Sequence, residues 1–319
     1  MTPPEENSPP PAVPSASAPE TPPSAPAPAP HLPPIPPRRF ALPPASRRRP
    51  DLAGGMSRLV CKVAYDGTDF LGWQAQRDGV TIQGALEARL AQIVQAPVRV
   101  HGSGRTDAGV HAAGQVFHFD AFWEHEPAVL LRALRTGLPR GIQVFDAWLG
   151  RPDFHARFSA RGKRYRYRFF EGYAPPQLAR YVFSLGERRL DFDAMREAAE
   201  PLLGVHDFSA FGGSGSDISD GENPVKDLRR LELFRRGPRI DLITEASGYL
   251  YKMVRRLAGG LMQVGLGRMT PAALLAYREA RVSAAVVPSA PPCGLVMERV
   301  FYRTPWNAAP CAGALGAAH

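Results

Sequence analysis

The sequence lacks any apolar run of about 18 residues, the length a membrane-spanning helix needs, so no such span is predicted. It is also poor in cysteine. The three present, Cys61, Cys293 and Cys311, are an odd number, and no two sit at the spacing of a zinc site or a redox pair. A disulfide scaffold is therefore not expected, a metal centre gains no support, and a reducing, cytoplasmic setting is predicted. The N-terminal stretch has no apolar central segment, which argues against a secretory signal. Its arginines and serines leave an organelle-targeting segment open, but Glu5, Glu6 and the density of proline do not favour an amphipathic targeting helix.

Residues 1–55 are dominated by Pro, Ala and Ser. Such a composition cannot bury enough apolar surface to offset the entropy of ordering, so this segment is predicted to be a disordered tail. Met56 follows Gly54-Gly55 and stands just before the first predicted strand, which makes it a candidate start. The rest is ordinary in bulk: 44% hydrophobic and 22% charged, with 319 residues in all, enough for one large core or two smaller ones. The formal net charge is +9. The tail contributes little of it, because Arg38, Arg39, Arg47, Arg48 and Arg49 are nearly balanced by Glu5, Glu6, Glu20 and Asp51. The excess sits in the folded part, as a surface for a polyanion would require.

Order is predicted from Arg58, where Leu59, Cys61, Val63 and Tyr65 alternate with Val60, Lys62, Ala64 and Asp66 as in a strand. Residues 81–95 read as a helix capped by Thr81, with Ile82, Leu86, Leu90 and Ile93 on one face. Val98 and Val100 suggest a strand, Gln115 to Asp120 another, and 127–137 a helix ending at Gly137 and Pro139. Lys163 to Phe170 alternates strongly, with Tyr165, Tyr167 and Phe169 on one face and Arg164, Arg166 and Arg168 on the other. Helices are expected at 191–203, 249–264 and 271–281, strands at Leu228–Phe234, Arg239–Glu245 and Leu295–Tyr302, and a Gly, Ser and Asp-rich loop at 212–224. The fold class this predicts is α+β, with mainly antiparallel sheets flanked by helices in two similar subdomains and a cleft between them. The boundaries expected are a tail at 1–55, subdomains at 56–160 and 161–305, and a flexible C-terminal tail at 306–319.

The segment His101-Gly-Ser-Gly-Arg-Thr-Asp-Ala-Gly-Val-His111 concentrates glycine around one cation, Arg105, and one carboxylate, Asp107. On residue types alone, a hairpin loop in which Asp107 caps loop amides is a sufficient reading. The whole pattern says more. Gly104-Arg-Thr-Asp-Ala-Gly-Val-His111, followed by Gln115 and the run to Phe119, closely resembles the active-site motif of the TruA family of pseudouridine synthases. Tyr65-Asp-Gly-Thr-Asp-Phe-Leu-Gly-Trp-Gln74 resembles that family's N-terminal signature, and Asp153-Phe-His-Ala-Arg-Phe-Ser-Ala160 with Lys163-Arg-Tyr-Arg-Tyr167 its second motif. Phe208-Ser-Ala-Phe211, Met253-Val-Arg255 and Gly294-Leu295 complete the series in order, from about Arg58 to Tyr302.

The resemblance implies isomerisation of uridine to pseudouridine in the anticodon stem-loop of tRNAs, at conventional positions 38, 39 and 40, by a homodimer, without cofactor or metal. It implies Asp107 as nucleophile, which fits carboxylate catalysis in two steps. Arg105 would hold the target base out of the stack. Tyr165 would stack on the flipped base, Leu295 would pack against it, and Arg255 would pair with Asp107 and keep it charged. On pattern alone, a core residue is the better reading of Tyr165 and an equal reading of Leu295, and Arg255 reads as a solvated helix arginine. Tyr65 and Trp73 are expected in buried packing, and His155 and His206 in structural or RNA-facing places. His111, four residues after Asp107, could pair with it on a metal only in a helix, which the glycines oppose. Lys252 and Lys226 stand where relatives carry histidine and arginine, and the acidic segment Gly212 to Glu222 departs from a basic RNA surface. Three other readings remain: a sister synthase acting elsewhere on RNA, a non-catalytic RNA-binding protein on the same scaffold, and a metal-dependent nuclease.

Overall fold

Apolar alternation sets the first strand, β1 (Ser57–Tyr65), whose Leu59, Cys61 and Val63 are fully buried. It pairs antiparallel on one side with β3 (His111–Ala121), in the register Cys61↔Phe117, and on the other with β4 (Ile142–Leu149). The structure, a computed structural model, describes residues 55–213, 223–281 and 287–302. Most of the expected N-terminal tail, residues 214–222 of the acidic loop, Cys311 and the 306–319 tail lie outside the described residues. No helix among the described residues is long and apolar enough to cross a membrane.

The second group of strands is β5 (Gly162–Phe170), β7 (Gly204–Asp207), β8 (Val225–Arg236) and β9 (Arg239–Ala246), all antiparallel neighbours in the order β5-β9-β8-β7. The last strand, β10 (Leu295–Phe301), returns to the middle, antiparallel to β5 and briefly parallel to β3 through Val296↔His111 and Met297↔Ala112. The sheets expected for the two halves are thus joined edge to edge in one α+β sheet, ordered β4-β1-β3-β10-β5-β9-β8-β7. The short β2 (His101–Gly102) adds to β3, and the short β6 (Phe183–Ser184) lies parallel to β5.

Helices α1 (Ile82–Val94) and α2 (Pro127–Arg135) pack together in the first half, with Leu86, Leu90, Leu130 and Leu134 buried. A one-turn α3 (Pro176–Ala179) precedes β6. In the second half, α4 (Phe192–Ala199) packs against α5 (Met253–Gly265) and α6 (Pro271–Glu279). Side-chain caps fix three starts: Thr81 for α1, Asp191 for α4 and Thr270 for α6.

The alternation of β5 has a clear physical outcome. Tyr165, Tyr167 and Phe169 are buried, while Arg164 and Arg166 of the other face pair with carboxylates within the protein. Arg164 pairs with Glu245 at 2.6 Å, and Arg166 pairs with both Asp241 at 2.9 Å and Glu298 at 2.5 Å.

Three expected elements differ. Val98–Val100 form no strand, because α1 satisfies the backbone there: Val100 N–H donates to Glu87 and its carbonyl accepts from Gln83. The helix expected over 191–203 ends at Ala199, and Glu200–Leu202 tighten into a 3-10 turn around Pro201, whose nitrogen cannot donate. The helix expected from 249 starts at Met253, because Lys252 takes a left-handed φ of 60°.

Candidate active site

Asp107 sits in the loop between β2 and β3, and its neighbours hold that loop rigidly. The fully buried Gln115 of β3 reaches back, its Nε2 donating to Gly104 O at 2.7 Å while its Oε1 accepts from the Ser103 hydroxyl. Trp73 N–H donates to Thr106 O at 3.0 Å, and Tyr65 and Thr106 share a hydroxyl hydrogen bond of 2.8 Å. Val110 N–H closes a turn on Asp107 O at 3.1 Å. The segment Tyr65–Gln74 therefore braces the Asp107 loop, and two glycines allow the approach. A Cβ at Gly67 would stand 2.0 Å from Val110 O, and one at Gly72, where φ is +86°, 2.6 Å from Thr106 O.

Arg255 comes from the first turn of α5. Its Nη1 donates to Asp107 Oδ2 at 2.6 Å, and its Nε donates to Ala290 O at 2.7 Å. Ala290 N–H donates back to Arg255 O, so the guanidinium is anchored before it meets the carboxylate. The planar fork makes this double duty possible. The pair spans 148 residues of sequence and ties the β2–β3 loop to α5.

Tyr165 lies on β5 between Met297 of β10 and Thr244 of β9 and is 7% exposed. Its ring meets Tyr249 edge-on, with centroids 5.1 Å apart, and Tyr249 in turn shares a hydrogen bond with the Thr244 hydroxyl. Burial pushes the Tyr165 phenol well above its ordinary range, with nearby Tyr65, Tyr249 and Asp107 adding to the shift. At neutral pH it keeps its proton and can donate a hydrogen bond. Leu295, 5% exposed, starts β10 opposite Tyr167. Arg105 is exposed.

These residues meet. Arg105, Asp107, Tyr165, Arg255 and Leu295 all line one open cleft of about 1050 Å³, with Lys163 beside them. The other candidates divide between this cleft, which Trp73 also lines, and places outside it. Tyr65 and Trp73 are buried and pack on each other, 6.1 Å between centroids. His111 is buried; its Nδ1 accepts from Gly67 N–H at 3.1 Å and its Nε2 donates to Cys293 O at 3.2 Å. Burial lowers its pKa against the opposing pull of Asp66, whose Oδ1 lies 3.2 Å from Nδ1, and its place is structural. His206 contacts Leu203 O at 2.7 Å on β7, and Lys226 pairs across from it on β8. His155 lines the cleft. Among the described residues, no group of three His, Cys, Asp or Glu side chains is arranged to hold a metal ion.

The cleft also contains residues that sequence reasoning missed. Tyr249 was expected on a helix, yet the left-handed Lys252 places Ser247 to Lys252 along the cleft wall instead. Nothing in the string Gly-Tyr-Leu-Tyr-Lys marks that break. Ala290 could not have been found as an anchor, because it acts through its backbone.

The family model for tRNA pseudouridine synthase matches residues 62–159 and 198–303. The chain belongs to the tRNA pseudouridine synthase family. Arg105 and Asp107 fall in the first matched stretch and Arg255 and Leu295 in the second, while Tyr165 lies between the two. The chain is 42% identical over 251 residues to a tRNA pseudouridine synthase A of Alcanivorax borkumensis, covering 77% of this chain and 92% of that one. It is 41% identical over 253 residues to a tRNA pseudouridine synthase A of a Bradyrhizobium species (77% and 100% covered). It is 42% identical over 248 residues to that of Rhodospirillum rubrum (77% and 88%).

Proposed function

We propose that this isomerase forms pseudouridine in the anticodon stem-loop of tRNAs, at conventional positions 38, 39 and 40, with Asp107 as its nucleophile. Family membership supports the reaction and the tRNA substrate. The observation that carries the assignment of the nucleophile is the Asp107–Arg255 pair at 2.6 Å within the one cleft that also holds Arg105, Tyr165 and Leu295.

The reaction breaks the N1–C1′ bond of uridine and joins C1′ to C5 of the same base, with the C5 proton lost and a proton gained at N1. Atoms and electrons balance within the substrate, so no oxidant or cofactor is needed. Three routes are open to the carboxylate: attack on C1′, addition to C6 of the ring, or removal of the 2′ proton. Each route needs a fixed, partly desolvated carboxylate facing the target nucleoside, and the anchored Arg255 supplies the fixing. Arg105, exposed at the cleft mouth, is suited to fill the gap left by an extruded base. Tyr165 and Leu295 present an aromatic and an aliphatic wall to that base.

Recognition of many tRNAs at one place rests on shape and phosphates, which a net +9 chain favours. A homodimer carrying one tRNA across both subunits, a cytoplasmic setting, and subdomains at 56–160 and 161–305 complete the proposal. To test it, the protein is incubated in EDTA with unmodified tRNA transcripts, and pseudouridine is mapped by carbodiimide-dependent primer-extension stops. Stops on the 3′ side of the anticodon arm are expected. Stops elsewhere move the specificity to another RNA position, and their absence with tRNA still bound overturns the catalytic reading.

A further inference from the structure

One wall of the cleft carries aromatic groups that the chemistry above does not use. Phe158 is 77% exposed. A lone exposed ring needs no explanation, but this one lines the cleft that holds Asp107, together with Arg157, His155 and His101. The Phe158 ring lies 4.4 Å from that of His155, tilted by 35°. His155 stands 4.6 Å from His118, and His118 stacks on His101 at 5.0 Å. The Arg157 guanidinium sits 5.9 Å from the centre of the Phe158 ring. The result is a continuous aromatic cluster around the buried His118, reaching the cleft at His101 and at an exposed phenyl with a cation beside it.

The turn that presents Phe158 is held firmly. His155 Nδ1 accepts from the N–H groups of Arg157, at 3.1 Å, and Phe158, at 3.4 Å. Ser159 closes the turn from both sides, its N–H on His155 O and its hydroxyl accepting from His155 N–H. Arg58 donates to Pro152 O at 2.6 Å and Phe154 O at 2.7 Å while paired with Asp120 at 2.7 Å, fastening the turn to β1 and β3. Ala156 N–H donates to His118 Nδ1 at 3.1 Å. Burial first, then repulsion from His155 on His118 and from His101 on His155, lowers the pKa of both imidazoles and favours their neutral forms behind Phe158. An exposed, preorganised ring flanked by a guanidinium is what stacks an unpaired nucleobase while its phosphate meets the cation.

We propose that Phe158, backed by His155 and flanked by Arg157, is a second base-binding site in the cleft, stacking one unpaired nucleobase of the substrate RNA other than the target uridine. The proposal rests on the reading that RNA occupies this cleft. The site holds the RNA in place while the target base is extruded toward Asp107, so its loss weakens binding.

The test uses the full-length protein and an anticodon stem-loop RNA, with dissociation constants measured for the native chain, Phe158→Ala and Phe158→Trp. Phe158→Ala weakens binding about tenfold, Phe158→Trp restores it, and neither changes the slope of affinity against salt, because no charge is lost. Abasic nucleotides are then placed one at a time through the loop. At a single position the abasic RNA costs the native chain affinity but costs Phe158→Ala no more. If Phe158→Ala binds every RNA as the native chain does, or if each abasic position weakens both proteins equally, the stacking site is wrong. Pseudouridine formation by the native chain is scored separately. A protein that binds RNA through Phe158 but makes no product contradicts the proposed function and leaves the stacking site standing.

Discussion

Arg255 holds Asp107 through Nη1 at 2.6 Å while its own Nε is fixed on the Ala290 carbonyl at 2.7 Å. One guanidinium thus positions the carboxylate and is itself positioned by backbone. A lysine can supply the charge but not the fork. Arg255→Lys is therefore expected to lower kcat on tRNA about a hundredfold, the scale of a lost preorganised contact, with affinity for tRNA within a few-fold of the native value. Single-turnover kinetics beside a binding titration measures both. An equal loss in kcat and affinity would mean that Arg255 serves mainly to bind RNA.

Gly72 and the Asp107 loop are in direct backbone contact. Alanine there meets Thr106 O at 2.6 Å and must adopt a φ of +86°. Gly72→Ala is expected to destabilise the fold by about 1–3 kcal/mol and to reduce activity further than stability alone explains, because the loop must shift. Urea unfolding and initial rates at a temperature where the variant is fully folded separate the two effects.

His118 ties acidity to stability. Burial first, then repulsion from His155, lowers its pKa from 6.5 to about 4. The folded state holds this imidazole neutral, whereas the unfolded chain protonates it as pH falls below 6.5. Its stabilising contribution is complete above that pH and is lost between 6.5 and about 4, by on the order of 2 kcal/mol. Chemical denaturation at pH 7.5, 5.5 and 4.5 is expected to show the decline, and His118→Gln to flatten it. The same slope in the variant would assign the decline to other groups.

The buried tyrosines act at the other end of the scale. Burial raises the phenols of Tyr65, Tyr165 and Tyr249 above their ordinary value of 10.0. Their contribution is complete below pH 10 and is lost as pH climbs beyond it, since the unfolded chain ionises first. The share of the tyrosinate absorbance at 295 nm that comes from these three phenols, taken as the difference from the matching Tyr→Phe variants, is expected to appear together with unfolding rather than before it.

Much of the site was legible in the sequence because its residues cluster in short strings. The family resemblance picked out Asp107, Tyr165 and Arg255, which on pattern alone read as a hairpin-loop aspartate, a core tyrosine and a solvated helix arginine, and the structure places them around one cleft. What joins them was not legible. The parallel pairing of β10 with β3 spans only Val296↔His111 and Met297↔Ala112, and no periodicity encodes a partner so distant in sequence. The left-handed Lys252 was hidden inside a helical pattern, because its conformation is imposed by tertiary packing rather than by propensity. The strand β4 went unnoticed since its outward Phe145, 51% exposed, breaks the apolar-in, polar-out alternation. The row His101, His118, His155 and Phe158 comes from three separate segments and could be assembled only in space.

The most direct measurement compares the native chain with Asp107→Asn on one unmodified tRNA, scoring pseudouridine and the dissociation constant in the same preparation. The account predicts that the variant forms no pseudouridine and binds tRNA within a few-fold of the native chain, since phosphate contacts carry most of the affinity. Pseudouridine formed by Asp107→Asn at near the native rate would contradict it, as would loss of tRNA binding in step with loss of product.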